Sequence, residues 1–166
     1  MTRLTVIALV LLSAAVANSQ PLDRGCAPVG IGLCAFCLNT YSDDGISFEA
    51  ECKNDGGMSV SLTCHDKGGF VAKVAPSKFI PLSAKQTEIH VGGYRYDFLV
   101  ASNRSFAASM DELTINRVFN VLNTNERSSW GFPNDRGRIT EADLYHPDSA
   151  TVMSILLLAC DGLTRG

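Results

Sequence analysis

Residues 46–64, ISFEAECKNDGGMSVSLTC, alternate apolar and polar side chains on both sides of an Asn-Asp-Gly-Gly segment. This alternation places every second side chain on the same face of a strand, and the glycine-containing segment is typical of a tight turn. The stretch therefore predicts a β-hairpin with a three- or five-residue loop. The pairing that we predict places Cys52 opposite Met58 and Cys64 opposite Ile46.

The two cysteines of this hairpin are expected to have different partners. In the predicted pairing they lie at opposite ends of the strands, roughly 20 Å apart at about 3.4 Å per residue, well beyond the ~7 Å limit on the Cα separation of a disulfide. We therefore predict that Cys52 is not bonded to Cys64, and that each cysteine joins the hairpin to another part of the chain.

The whole chain has 166 residues and six cysteines, an even number that allows three disulfides with no free thiol. Five of them lie in the N-terminal part, so we expect the sixth to close back onto that cluster, while the individual pairing stays open. A zinc ribbon is disfavoured because the second half lacks a close pair, and we expect no metal and no cofactor. A thioredoxin-like redox motif is disfavoured because loop-forming residues precede the pair at 34 and 37. The cysteines are Cys26, Cys34, Cys37, Cys52, Cys64 and Cys160.

The N-terminus predicts secretion. Arg3 is followed by an apolar run at 4–12, which is too short to span the ~30 Å core of a bilayer, and then by small residues at Ala15 and Ala17. We interpret residues 1–17 as a signal peptide, cleaved between positions 17 and 20, and residues 18–166 as a single secreted domain with no membrane insertion. The net charge of −3 disfavours nucleic acid as a charge-driven partner.

Further patterns predict an α+β fold, mainly antiparallel β-sheet with one amphipathic helix. Short strands are expected at 70–74 and 79–82, and two more strands at 88–101 around the glycine pair at 92–93. A capping-box pattern begins at Ser109, and the apolar residues that follow at helical spacing place the helix at about 110–123. The fold class is thus a small secreted domain stapled by disulfides.

The last third of the chain is less regular. Residues 128–138 contain several glycine, proline and asparagine residues and predict a loop, followed by an extended segment at 138–145. Residues 150–160 fit either a buried helix or the second strand of a hairpin, and periodicity alone does not separate the two. We prefer the strand because a Pro-Asp pair precedes the segment and suits a tight turn.

The leading functional hypothesis is a non-enzymatic protein that binds an extracellular or host protein or glycan, in the manner of an effector, toxin or recognition module. A stable disulfide scaffold can display loops for such contacts. In the predicted loop, Trp130, Phe132 and Arg136 are the candidate contact residues, since aromatic and arginine side chains dominate many interfaces. The alternative for all three residues is local packing of the loop. A third hypothesis is a structural wall or matrix component.

The enzymatic alternative is a small secreted hydrolase, most plausibly ribonuclease-like. Histidine, carboxylate, tyrosine and arginine on neighbouring strands can supply acid–base cleavage of a phosphodiester. The candidate residues are Glu88, His90, Tyr94, Arg95 and His146. Asn103 begins an Asn-Arg-Ser sequon, which predicts an exposed and glycosylated loop.

Overall fold

The computed structural model describes residues 21–164 except 44, 67–68, 79, 103–104, 111–117, 119, 123 and 125. Within these residues lie ten antiparallel strands, which form one sheet, and a C-terminal helix. The strands are β1 (Asp23–Val29), β2 (Cys34–Thr40), β3 (Ile46–Lys53), β4 (Ser59–His65), β5 (Phe70–Ala75), β6 (Gln86–Val91), β7 (Tyr94–Ser102), β8 (Ser105–Met110), β9 (Arg127–Pro133) and β10 (Ile139–Tyr145). The helix, α1, is Ser149–Thr164. The mainly antiparallel α+β fold is thus confirmed.

The sheet is strongly curved. Its strands lie in the order β1-β2-β3-β4-β5-β8-β7-β6-β9-β10, so β4 and β10 would be about 29 Å apart in a flat sheet with ~4.8 Å between strands. Nevertheless, the side-chain amide of Asn54, in the β3–β4 turn, donates a hydrogen bond of 2.8 Å to the backbone oxygen of Asp143 in β10. Twist and coiling of the sheet bring these distant parts together.

The two faces of the sheet differ in character. We call the face that α1 covers the inner face, and the opposite one the outer face. Apolar residues of β2 to β10 supply the core on the inner face, and Val29 of β1 packs against it. Within the core, Phe106 stacks on Phe132 with ring centroids 5.6 Å apart. The helix packs against β2, β3 and β4. The largest fully buried side chains are Trp130, Phe98, Phe106 and Phe132.

All six cysteines form disulfides. Cys26–Cys37 and Cys34–Cys52 each join directly opposed residues of adjacent strands, and Cys64–Cys160 joins β4 to α1. The predictions that Cys52 and Cys64 are not partners, and that Cys160 bonds to the N-terminal cluster, are confirmed. Among the described residues, no helix is both long and apolar enough to cross a membrane. Three disulfides in so short a chain are compatible with an extracellular location.

The hairpin at 46–64 is confirmed, but its predicted register is wrong by two residues. Cys52 lies opposite Val60, and Cys64 lies opposite Phe48. The reason is the turn: Asn54 accepts two hydrogen bonds from Met58 and Gly57 backbone N–H groups, through its side chain and its carbonyl, and so closes a five-residue loop. A shift of two residues keeps every side chain on its predicted face.

The other strand predictions are mixed. The strand at 70–74 is confirmed by β5, and the two strands around the glycine pair are confirmed as the β6–β7 hairpin, in which Gly92 and Gly93 have φ of 55° and 84°. The strand predicted at 79–82 is wrong, because residues 80–82 have no regular structure. They are tied instead to the β9–β10 turn, where the Asp135 N–H donates to the Pro81 oxygen at 3.2 Å.

Residues 128–138 are not the predicted loop, since 127–133 form β9 and only 134–138 form a turn to β10. The glycine within this segment serves close packing in a strand. A Cβ at Gly131 would lie 3.0 Å from Cγ2 of Ile139 and 3.2 Å from Cβ of His90, on the two neighbouring strands. Pro133 occupies the end of β9, where a missing N–H is tolerated.

Residues 150–160 are helical, so the preference for a strand is wrong. The side chains of Val152, Met153, Leu156 and Cys160 are buried, and their spacing of one, three and four residues follows one face of a helix. The preceding turn does not begin a hairpin. Instead the Asp148 carboxylate accepts a 2.9 Å hydrogen bond from the Ile31 N–H, which ties the start of α1 to the β1–β2 turn.

The helix predicted at about 110–123 starts too early. Ser109 and Met110 belong to β8, so Ser109 is not a helix cap. Residues 111–117, which include the rest of the capping box, lie outside the described residues. Residues 118, 120–122 and 124 are helical, and Val118 and Leu122 are buried in the core.

The disulfide between β4 and α1 is expected to stabilise the fold most. It spans 96 residues, whereas Cys26–Cys37 spans 11. The chain-entropy model gives about 4.7 kcal/mol for the long loop and about 3 kcal/mol for the short one. Replacing Cys64 and Cys160 together by alanine should therefore lower the free energy of unfolding by roughly 2 kcal/mol more than the matched alanine pair at 26 and 37. Urea denaturation of the two variants measures this, and the reverse order would contradict it.

Candidate functional site

The outer face of β1 to β5 carries a polar cleft of about 250 Å³. It lies on the side of the sheet opposite α1, where alternate residues of the strands are charged, hydroxyl-bearing or amide side chains. Because directly opposed residues of neighbouring strands share a face, these side chains form rows that cross the strands. The residues that define the polar cleft below are Arg24, Asn39, Tyr41, Glu49, Glu51, Thr63, His65 and Lys73.

An ion-pair cluster forms one side of the polar cleft. Nη2 of Arg24, on β1, lies 2.7 Å from Oε2 of Glu51 and 3.1 Å from Oε2 of Glu49, both on β3. The two carboxylate side chains are only 14% and 12% exposed. Burial by itself would lower the pKa of Arg24, but the hydrogen bonds and charges of Glu51 and Glu49 outweigh it and raise the pKa. The single guanidinium thus holds two nearly buried carboxylates together.

A buried amide lies beside this cluster. The Nδ2 atom of Asn39 donates to Oγ of Ser47 and to Oε2 of Glu49, both at 3.3 Å, and the Tyr41 hydroxyl is 3.0 Å from the same Ser47 oxygen. Asn39 is 3% exposed, and its Oδ1 atom has no hydrogen-bond partner in the described part of the chain. A buried acceptor without a partner is costly, so a ligand that donates to it would gain affinity.

His65 ends the row of polar residues on β4. Its ring centroid is 5.8 Å from that of Tyr41, at an interplanar angle of 42°. Burial lowers the pKa of His65, Lys73 lowers it further, and the charges of Asp66 and Glu49 act in the opposite direction. The imidazole is therefore neutral at pH 7 and able to accept a proton.

The predicted catalytic residues are only partly brought together. His90 on β6 lies opposite Arg95 on β7, and Nη1 of Arg95 is 3.7 Å from Oε2 of Glu88, on the outer face. Tyr94 belongs by its position in β7 to the other face, and His146 is fully buried on the inner side. The five residues therefore do not form one cluster, and the polar cleft, several strands away along the same outer face, contains none of them.

His146 belongs to a buried hydrogen-bonded chain. Nε1 of Trp130 donates to Oγ of Ser128 at 2.8 Å, and Ser128 is 2.9 Å from Nε2 of His146. On the other side of the ring, Nδ1 is 2.8 Å from Oγ of Ser149, which donates to the Leu122 carbonyl. These directions assign the proton to Nδ1, with Nε2 as acceptor. Burial lowers the pKa of His146, so this neutral form is the stable one.

The predicted contact residues also separate. The side chains of Trp130 and Phe132 are fully buried in the core, where they cannot reach a partner, and only Arg136 in the β9–β10 turn is exposed. Local packing, the alternative stated for all three residues, is what the structure shows for Trp130 and Phe132 but not for Arg136. Asn103, the predicted glycosylation site, lies outside the described residues.

The residues of the polar cleft were not predicted from the sequence, although residues 46–64 contain several of them. No function was predicted for the polar positions of the 46–64 alternation, which share the face opposite the apolar core. Three negatively or potentially charged groups at 49, 51 and 65 on one face of one hairpin are the signal that could have found the cleft. The described residues contain no cluster of three or more His, Cys, Asp or Glu side chains arranged to hold a metal ion.

Comparison of the chain with protein-family models, with curated proteins and with solved structures found no match.

Buried His146 predicts a pH-dependent stability. Unfolded, the histidine titrates near 6.5, and in the folded protein its pKa is lower. Stability is therefore complete above pH 6.5 and falls as the pH drops below it, because the unfolded state takes up protons first. Denaturation from about pH 8 to about pH 5 should show this loss, with a shallower slope in His146→Asn. Since His65 shifts in the same direction, His65→Gln should reduce the slope further.

The matched control is Arg136→Gln, which alters an exposed cation in the β9–β10 turn. It should leave the slope unchanged, because arginine stays charged throughout this range. If stability depends on pH as steeply in His146→Asn as in the unsubstituted protein, the titration of His146 is not the cause, whatever the absolute stability of the variant.

Proposed function

We propose that the chain is secreted and acts by binding an extracellular target through the polar cleft, without catalysing a reaction. The observation that carries the proposal is the way the cleft is built. Two disulfides, Cys26–Cys37 and Cys34–Cys52, connect β1, β2 and β3. These are the strands that carry Arg24, Asn39 and the two glutamates.

Such bracing favours binding because it reduces the entropy lost when a ligand orders the site. Asn39 lies directly opposite Arg24 in β1 and opposite Ser47 in β3, so the disulfides fix the register of these polar groups. Preorganised, concave sites with a few placed polar groups are typical of ligand binding. The partly unsatisfied Asn39 side chain supports a ligand that donates a hydrogen bond at this point.

Secretion is supported by two independent features of the chain. The first is the N-terminal order of a basic residue, an apolar run and small residues. The second is the presence of three disulfides, which form and persist in oxidising compartments. An effector-like or recognition-module role is the form of extracellular binding that we propose.

Expression of the full chain in a secreting host tests this part of the proposal. The protein should appear in the medium, and N-terminal sequencing should find that it begins between residues 18 and 21. A substitution of Leu9 by arginine should retain it inside the cell, because a charge interrupts the apolar run. Protein that stays inside the cell with residue 1 intact would contradict secretion.

Charge reversal in the polar cleft tests the binding. Lys73 is exposed, forms no ion pair in the described part of the chain and lines the cleft. Immobilised protein should retain a partner from extracellular material, and the purified partner should bind directly. The affinity should fall by about tenfold or more in Lys73→Glu, since a repulsive charge is placed among the glutamates.

The matched control for this experiment is Arg136→Glu, which makes the same charge change on the β9–β10 turn. Unchanged binding in this variant and weakened binding in Lys73→Glu support the polar cleft. Equal loss in both variants, loss only in Arg136→Glu, or no direct binding by any retained protein or glycan would overturn the proposal.

A ribonuclease-like hydrolase is the second candidate, and one specific observation favours it. Glu49 and His65 lie on adjacent strands at diagonal positions, with Arg24 next to the carboxylate. A neutral imidazole or an ionised carboxylate can accept the proton of the attacking hydroxyl, and the guanidinium can stabilise the charge that develops on the phosphate. These are the residue types expected from the sequence, in a different place.

An RNA-cleavage assay separates this candidate from the binding proposal. Oxidised protein, His65→Ala and His90→Ala would be compared on single-stranded RNA. The binding proposal expects no cleavage by any of the three. If the protein cleaves RNA and only His65→Ala loses the activity, the binding proposal is replaced by an enzyme centred on the polar cleft. If only His90→Ala loses the activity, the active site lies on β6.

A further inference from the structure

We propose that the ligand of the polar cleft is a neutral saccharide chain. The inference rests on the proposed binding function and adds to it the chemical class of the ligand. It follows from three properties of the cleft: its balance of charge, its mixture of hydrogen-bond donors and acceptors, and its aromatic edge.

The charge of the polar cleft is balanced. Two cations, Arg24 and Lys73, stand against two carboxylates, Glu49 and Glu51, and His65 is neutral at pH 7. Lys53 pairs with Glu51 from outside the cleft and is well exposed. A phosphodiester or a sulfated chain would approach the cations and the carboxylates together, so it would gain little electrostatic energy. A cationic peptide would be attracted by the carboxylates and repelled by the cations, so it too would gain little electrostatic energy.

The hydrogen-bonding groups alternate between donors and acceptors. The carboxylates of Glu49 and Glu51 and the Oδ1 atom of Asn39 accept, whereas Lys73 only donates. Between them lie the hydroxyl groups of Ser61 and Thr63, which do both and are 4% and 5% exposed. A sugar hydroxyl also donates and accepts, so neighbouring hydroxyls on one ring can satisfy this mixed set. A ligand with only donors or only acceptors would leave part of the cleft unpaired.

Asn39 makes the match specific. Its Nδ2 hydrogens are used by Ser47 and Glu49 within the protein, which fixes the orientation of the amide and leaves Oδ1 as the acceptor without a partner. A ligand hydroxyl that donates to Oδ1 would remove the cost of a buried, unpaired acceptor. A ligand without such a hydroxyl would leave Oδ1 unpaired and would therefore bind more weakly.

The aromatic edge supplies an apolar surface beside these polar groups. Tyr41 and His65 are both half-buried, and their tilted rings are adjacent. A pyranose ring has polar hydroxyls around its rim and an apolar face of C–H groups. An aromatic ring with a polar tip suits such a ligand, because it contacts the apolar face while its hydroxyl or ring nitrogen stays hydrogen-bonded. The Tyr41 hydroxyl, already bonded to Ser47, is anchored in this way.

A saccharide-binding experiment tests the inference on the full secreted protein. The probes are neutral hexasaccharides of the cellulose, chitin, laminarin and mannan types, with a heparin hexasaccharide and a hexauridylate as anionic probes. Binding is followed by calorimetry and by NMR shifts at up to millimolar ligand. At least one neutral probe should bind, and both anionic probes should bind at least tenfold more weakly.

Two variants locate the binding, and one serves as the control. Lys73→Met removes an exposed donor while keeping the length of the side chain, and Asn39→Ala removes the Oδ1 acceptor. Each should weaken the affinity for the neutral probe by about tenfold, the effect of one lost hydrogen bond to a charged or buried group. Lys85→Met, which removes a similar exposed lysine just before β6, should change nothing.

The outcomes separate the failure of this inference from that of the proposed function. No neutral probe bound at millimolar concentration, tighter binding of an anionic probe, or equal effects of Lys73→Met and Lys85→Met would each overturn the saccharide. A different outcome is that substitution of Lys73 still weakens the binding of the partner captured from extracellular material, while no neutral hexasaccharide displaces that partner. In that case the saccharide inference fails and the binding function stands.

Discussion

The two-residue period of the central strands is the constraint on which both the core and the polar cleft depend. In β3 and β4, successive side chains point to opposite faces, so the residues that pack under α1 and those that line the cleft are interleaved along the chain. Ala50 and Leu62 lie on the inner face and are fully buried, while Glu49 and Thr63 lie next to them in sequence and face the cleft. A one-residue slip would place glutamates in the core and apolar residues in the cleft.

Disulfides protect this register from both sides of the sheet. Cys34–Cys52 joins β2 to β3 on the inner face, and Cys26–Cys37 joins β1 to β2 on the outer face, where Cys37 lies opposite Glu49. Cys64–Cys160 then holds α1 over β4. The strand β1 is exposed along nearly its whole length and buries little apolar surface. The Cys26–Cys37 bond therefore reinforces the backbone pairing of β1 with β2, and together they keep Arg24 beside the two carboxylates.

The sequence predicts local structure well where a pattern is both regular and bounded. The alternation at 46–64 identified the hairpin and its faces, and the glycine pair at 92–93 identified the break between two further strands. Prediction from the sequence failed where long-range packing decides the local structure. Nothing local shows that Gly131 is a strand residue pressed between His90 and Ile139, and the apolar run at 150–160 has no period that separates a buried helix from a strand. The cleft was missed for a related reason, since Arg24 meets Glu51 only after three strands have paired.

The contrast between His146 and His65 shows why a histidine in the sequence is a weak guide to a site. Burial lowers the pKa of both, yet the two side chains have different environments. His146 uses both ring nitrogens to connect Ser128 on β9 with Ser149 on α1, so neither nitrogen is available to a ligand. His65 stands at the edge of a cleft, beside Tyr41, with charged groups of both signs around it. A neutral ring in that position offers a donor, an acceptor and an apolar face together, which is the same combination that the rest of the cleft presents.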